Sequence, residues 1–184
     1  MKRFSLFCMV AATVLLVAGC GKKAGQPGGL GDKTGTVAGV KWGVPARWTV
    51  LPDRPMRVAT YGIPAAEGDT EGAECAASFF GSGMGGDIES NIARWVGQFE
   101  NASEPVRATK QVNGINVTTV KVSGDYLSPA GPMMQSTGSK KGYQLIGAII
   151  DGPEGVVFFK LTGPKKTAAN AEIEFDAMVG SLSR

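Results

Sequence analysis

The sequence predicts an α+β domain, an antiparallel β-sheet covered by helices on both faces (an αβα sandwich), over Val40–Arg184. Three observations carry this. Tyr143–Ile150 and Val156–Leu161 are apolar on both alternating faces, as strands covered on two sides are, and the short Asp151-Gly-Pro-Glu-Gly155 turn between them makes the pair antiparallel. Asn113-Gly114 between two strand-like runs is a strong hairpin signal. Two segments, Asp87–Phe99 and the stretch after Pro164, carry helical apolar stripes that need a sheet to cover.

Ahead of this domain, Met1–Gly19 reads as a targeting segment. Lys2 and Arg3 precede an apolar run, Phe4 to about Val14, too short to span a bilayer. Val17-Ala18-Gly19-Cys20 resembles a bacterial lipobox, which implies cleavage before Cys20 and diacylglycerol on its thiol. Residues 20–39, rich in glycine and lysine, read as a flexible tether with a reach on the order of 25 Å.

Within the domain, Val40–Trp42 is expected as a strand, Pro45 breaks it, and Trp48–Leu51 re-enters. Met56–Ile63 and Glu74–Phe80 are further strands, separated by a glycine-rich loop; Glu67, Asp69, Glu71 and Glu74 lack calcium-loop spacing and read as a solvated acidic turn. In the helix Asp87–Phe99, Asp87 is the expected N-cap, and Ile88, Ile92, Trp95 and Phe99 form the buried stripe. Thr109–Val112 and Ile115–Val122 form the Asn113-Gly114 hairpin. Tyr126–Lys141 is rich in turn formers and reads as a long loop; Tyr126, Met133 and Met134 make it a candidate partner-binding surface. The last helix opens at Gly163-Pro164 and buries Ala168, Ala171, Phe175, Met178 and Leu182.

Composition excludes several chemistries. The chain has no histidine, so Ser-His-Asp and Cys-His nucleophile pairs and His-based metal sites are ruled out. Val40–Arg184 carries 14 Lys and Arg against 15 Asp and Glu, which does not indicate a nucleic-acid surface. With Cys8 in the targeting segment and Cys20 lipidated, Cys75 stands alone and is expected as a small buried hydrophobe. Gly81-Ser-Gly-Met-Gly-Gly86 fits G-x-G-x-x-G, but no repeating strand–helix alternation follows, so it reads as a flexible connection, with anion binding as the alternative.

An early strand with Pro45-Ala-Arg-Trp48, a helix ending Ala93-Arg-Trp95-Val-Gly-Gln-Phe99, a long-looped hairpin, and Phe159-Lys-Leu-Thr-Gly-Pro164 before a terminal helix together resemble PsbP-like domains, over about Val40–Ser183. That group includes the extrinsic photosystem II protein and a nuclear import factor that binds the GTPase Ran. The resemblance implies an antiparallel sheet between helical layers and non-enzymatic binding or assembly work. The histidine-based metal sites of the photosystem proteins have no counterpart here, and no partner-binding residue of the group is matched.

The functional expectation is a lipid-anchored protein of a bacterial cell envelope, held to a membrane through Cys20. It would act as a non-catalytic binding or scaffold module for an envelope protein, with no cofactor, metal or nucleic acid. The alternatives are a small-ligand or lipid carrier, which needs a sizeable apolar cavity, and an envelope hydrolase using carboxylates such as Glu71, Glu74 or Asp87.

Overall fold

A computed structural model of the chain describes residues 28–127 and 138–184. The targeting segment, Cys20, Met133 and Met134 lie outside the described residues. Ten strands and two helices follow in order: β1 (Leu30–Val37), β2 (Val40–Pro45), β3 (Thr49–Val50), β4 (Ala59–Ile63), β5 (Ala73–Phe79), α1 (Ile88–Val96), β6 (Phe99–Glu100), β7 (Val106–Val112), β8 (Ile115–Leu127), β9 (Ser139–Gly152), β10 (Gly155–Pro164) and α2 (Lys165–Gly180).

The main sheet is antiparallel, in the order β3-β4-β5-β10-β9-β8-β6, with β7 also on β8. β1 and β2 form a separate hairpin. Side-chain alternation divides the sheet into two faces. On one, Cys75 and Ala77 of β5, Val157, Phe159 and Leu161 of β10, and Ile146, Ala148 and Ile150 of β9 form a continuous core with Ala168, Ala171, Phe175 and Met178 of α2 and with Val40, Trp42 and Val44 of β2. On the other, Ile92 and Trp95 of α1 pack on Val120 and Val122 of β8, Tyr143, Leu145 and Ile149 of β9, and Phe158 of β10. Among the described residues no helix is long and apolar enough to cross a membrane.

The expected sandwich with helices over both faces does not form. The chain is mostly antiparallel strand, with two helices among the described residues. α2 and the β1–β2 hairpin close one face. On the other, α1 has nine residues, which is about 13 Å at 1.5 Å per residue. A seven-strand path with strands about 4.8 Å apart is roughly 30 Å wide, so one such helix cannot cover it. It lies over the β8–β9 side and leaves β4, β5 and part of β10 without a helical layer.

The tether also ends sooner than expected, because Leu30–Val37 is strand β1. Its glycines, read as flexibility, make room for a partner: Gly35 pairs with Trp42, and a Cβ at Gly35 would sit 2.2 Å from that indole ring. The strand is held by apolar residues of β2 rather than its own. Other boundaries shift modestly. Met56 lies in a turn with φ of 64°, ahead of β4. β8 runs on to Leu127 and β9 begins at Ser139, so Tyr126 and Ser139–Lys141, expected in the long loop, are strand.

Local signals act as anticipated at the helix starts, with one addition. The Asp87 carboxylate accepts from the Ser90 backbone N–H at 2.9 Å, capping α1. Pro164 offers α2 no side-chain cap, and Asp69 supplies one from the β4–β5 loop, accepting from Thr167 N at 2.9 Å and Thr167 Oγ1 at 2.6 Å. The acidic turn is exposed at Glu67 and Glu71 as expected, while Asp69 within it serves as a tertiary cap.

Candidate functional site

The part of the sheet left without a helical layer is a groove of about 910 Å³. Its floor is the even-numbered side of β5 and β10: Ala76, Ser78, Phe158 and Lys160. One wall is α1, with Asn91, Arg94, Trp95 and the following Gln98. The opposite wall is the β3–β4 connection, with Arg54, Met56 and Arg57. A second recess of about 820 Å³ continues it along β4 and β5 toward Glu71, Tyr126, Lys140 and Tyr143, sharing Arg54, Arg57, Ala76 and Lys160.

Glycine at position 147 sets the width of the helix wall. Trp95 lies directly on it, and a Cβ there would fall 2.2 Å from the indole. Gly147 pairs across the sheet with Lys160, so the residue that lets α1 approach stands beside the groove's central charge. Phe158 meets Trp95 edge-on at 6.3 Å and Phe80 at 5.7 Å, which makes an aromatic shelf along the floor. The Gly81–Gly86 loop closes one end. Gly81, Gly83, Gly85 and Gly86 all have positive φ, and Gly85 lies against the Phe158 ring. Asn91, buried at 2% exposure, ties this loop to α1 by donating to Gly85 O at 2.7 Å and Asp87 O at 2.8 Å. The loop is a wall of the groove, and its helix N-terminus is already capped by Asp87.

The charges are unbalanced. Arg54, Arg57, Arg94 and Lys160 line the groove, and among the described residues no carboxylate does. Lys160, partly buried on a central strand, donates to Gln98 Oε1 at 3.0 Å and lies 6.0 Å from the Tyr126 ring centroid. Among the described residues, no carboxylate pairs with it. The near one, Glu74, is taken by Arg54 at 2.9 Å and Arg57 at 2.5 Å. Arg94 bonds the side-chain oxygen of Asn91. Burial first, then the Arg57 and Arg94 guanidiniums, push the Lys160 ammonium down to about 8, against a smaller opposing pull from Glu74.

The residues singled out from sequence are distributed as follows. Tyr126 is not in a loop: it pairs with Phe99 and Lys140, stacks on Tyr143 with centroids 5.8 Å apart, and lines the second recess. Glu71 accepts from Lys140 Nζ at 2.6 Å and from the Tyr143 hydroxyl, and these bonds hold its carboxyl below the usual range. Glu71, Glu74 and Asp87 are thus each engaged with separate partners. Cys75 is fully buried, and burial drives its thiol well above its ordinary value. Trp42, Trp48 and Trp95 are all core residues. Sequence reasoning missed the cation cluster. The available signal was Lys160 itself, a single charge inside an otherwise apolar strand.

No family model matches the chain, and no curated protein matches it. In fold it is similar to the solution structure of cyanobacterial PsbP (CyanoP) from Synechocystis sp. PCC 6803, with a TM-score of 0.53 and 10% identity over 90% of this chain and 98% of that one. It is also similar to a Pseudomonas aeruginosa protein of unknown function, PA94, described as a putative regulator, with a TM-score of 0.49 and 12% identity over 83% and 96%. The chain therefore has a PsbP-like fold; at these identities the likeness concerns the fold alone.

Proposed function

We propose that the protein is a non-catalytic binding module of a bacterial envelope, held to a membrane through lipidated Cys20, and that it binds at the groove on the open side of its sheet. One observation carries the binding part: a recess over a central strand with an aromatic floor, four cations and no lining carboxylate. A sheet face left without a helical layer, with a partly buried charge in it, has no evident use to the fold alone. The anchor rests on the sequence of residues 1–20. The carrier alternative draws support from the groove's volume, which falls in the range of small-ligand sites. The hydrolase alternative draws none, because Glu71, Glu74 and Asp87 are each occupied elsewhere.

Two experiments test the proposal. Cys20→Ser should move the protein from the detergent-extracted to the soluble fraction; a variant that stays membrane-bound overturns the anchor. A photo-cross-linking residue at Ser78, in the groove, should capture envelope components that the same group at Ile173, exposed on α2, does not. Equal capture from both positions overturns the groove as the binding site.

A further inference from the structure

We infer that the groove's ligand is a small anionic amphiphile, with a phosphate or carboxylate head set among Lys160, Arg57 and Arg94 and an apolar body lying on the Phe80–Phe158–Trp95 shelf. This rests on the reading of the groove as the binding site and names what it takes. The two halves of the argument are independent.

The first half is charge. Lys160 stands on β10, between β5 and β9, in the middle of the sheet. A partly buried ammonium is costly unless an opposite charge answers it. Here the charged neighbours are mainly of the same sign, and the one nearby carboxylate is shared by two arginines. The lowered affinity of Lys160 for its proton has the same origin, and an anion in the groove would reverse it. Arg57 and Arg94 come from opposite walls, so an anion above Lys160 would be approached from three sides. Guanidiniums suit the planar, bidentate recognition of phosphate and carboxylate.

The second half is shape. Ring contacts hold Phe80, Phe158 and Trp95 in one contiguous shelf, and Met56, 62% exposed, hangs over the opposite rim. Phe158 and Trp95 are themselves buried, but a bare inorganic anion would leave half-buried Phe80 and exposed Met56 wet. A neutral apolar ligand would leave Lys160 and Arg94 without an opposite charge. Only a molecule with both parts answers both. Its source, a membrane lipid headgroup or a free metabolite-sized acid, involves the same chemistry.

Calorimetry on the full-length chain in phosphatidylcholine nanodiscs tests this, with phenyl phosphate as the amphiphilic probe and inorganic phosphate and phenol as its separate halves. Phenyl phosphate should bind at least tenfold more tightly than either half. Lys160→Met should weaken it tenfold or more, and Arg94→Gln, which leaves the Glu74 pairs intact, should weaken it several-fold. Repeating the titration in nanodiscs containing phosphatidylglycerol separates the sources: weakened phenyl phosphate binding marks a lipid headgroup as the occupant, unchanged binding a free anion. No measurable binding by the wild type, or equal binding by Lys160→Met, overturns the inference. If phenyl phosphate fails while Ser78 cross-links persist, the ligand class is wrong and the binding site stands. If both fail, both readings fall. Binding of an acidic peptide with phenyl phosphate inert also overturns it, in favour of a protein partner.

Discussion

The two faces of one pair of strands make the instructive comparison. On β5 and β10 the odd-numbered residues, Cys75, Ala77, Val157, Phe159 and Leu161, face α2 and are fully buried among apolar neighbours. The even-numbered residues of the same strands, Ala76, Ser78, Phe158 and Lys160, face the groove. The backbone pairing is the same for both sets, so the difference lies in what covers them. A sixteen-residue helix and a hairpin seal the first face, whereas a nine-residue helix reaches only part of the second. The sealed face supplies stability. The open face keeps polar and charged groups that stability alone would not select.

The largest expected effect breaks the sealed face. Phe175 is fully buried on α2, and Phe175→Ala should lose about 3–5 kcal/mol in a urea titration. A near-neutral result would mean that α2 does not pack as described. Cys75 sits in the same cluster, so a thiol reagent should modify it roughly a thousandfold more slowly in the native state than in denaturant, because access requires large-scale opening. Rapid native labelling would contradict a sealed face. A smaller effect sharpens the open face. Gly147→Val drives a side chain into the Trp95 ring and should cost roughly 1–3 kcal/mol by overpacking. It should also shift Trp95 fluorescence as α1 lifts from β9. An unchanged melt would mean that α1 does not rest on that glycine.

How much of this could be read from the chain depends on how far apart the interacting residues lie. The β9–β10 hairpin, the division of Tyr143, Leu145 and Ile149 from Ile146, Ala148 and Ile150, the Asp87 cap and the α2 stripe are local patterns, and each takes its expected place. β1 was not legible because its glycines owe their presence to Trp42 on the neighbouring strand. The full helical layer expected over the second face follows from β9 being apolar on both sides, whereas β10 carries Lys160 and Thr162 beside Phe158 on its open side. The groove itself depends on β5 pairing with β10, which brings the β3–β4 connection with Arg57 close to Lys160 across a hundred residues of sequence. No spacing rule within the chain encodes that. Turn-forming residues follow Tyr126 in sequence and suggest a loop, but its pairing with Lys140 keeps it in the sheet.

The central claim is that the open face holds an uncompensated charge at the expense of stability, and Lys160→Met tests it most directly. Lys160 keeps its proton less readily when folded, at about 8, than in the unfolded chain, at about 10.4. The unfolded state therefore binds more protons between these values, and wild-type stability gains from this group as pH rises through that window. The penalty is fully present below about pH 8 and gone above about 10.4. Around Lys160, Glu74 is held in its pairs with Arg54 and Arg57, Arg94 faces it from α1, and burial raises Tyr126 above its ordinary value. Unfolding free energies of wild type and Lys160→Met, compared at pH 7 and pH 10, should show the variant more stable at pH 7. Its advantage should be about 1–3 kcal/mol larger there than at pH 10. A variant less stable than wild type at both pH values, by the same amount, would show that Lys160 is a satisfied structural residue and that the open face carries no uncompensated charge.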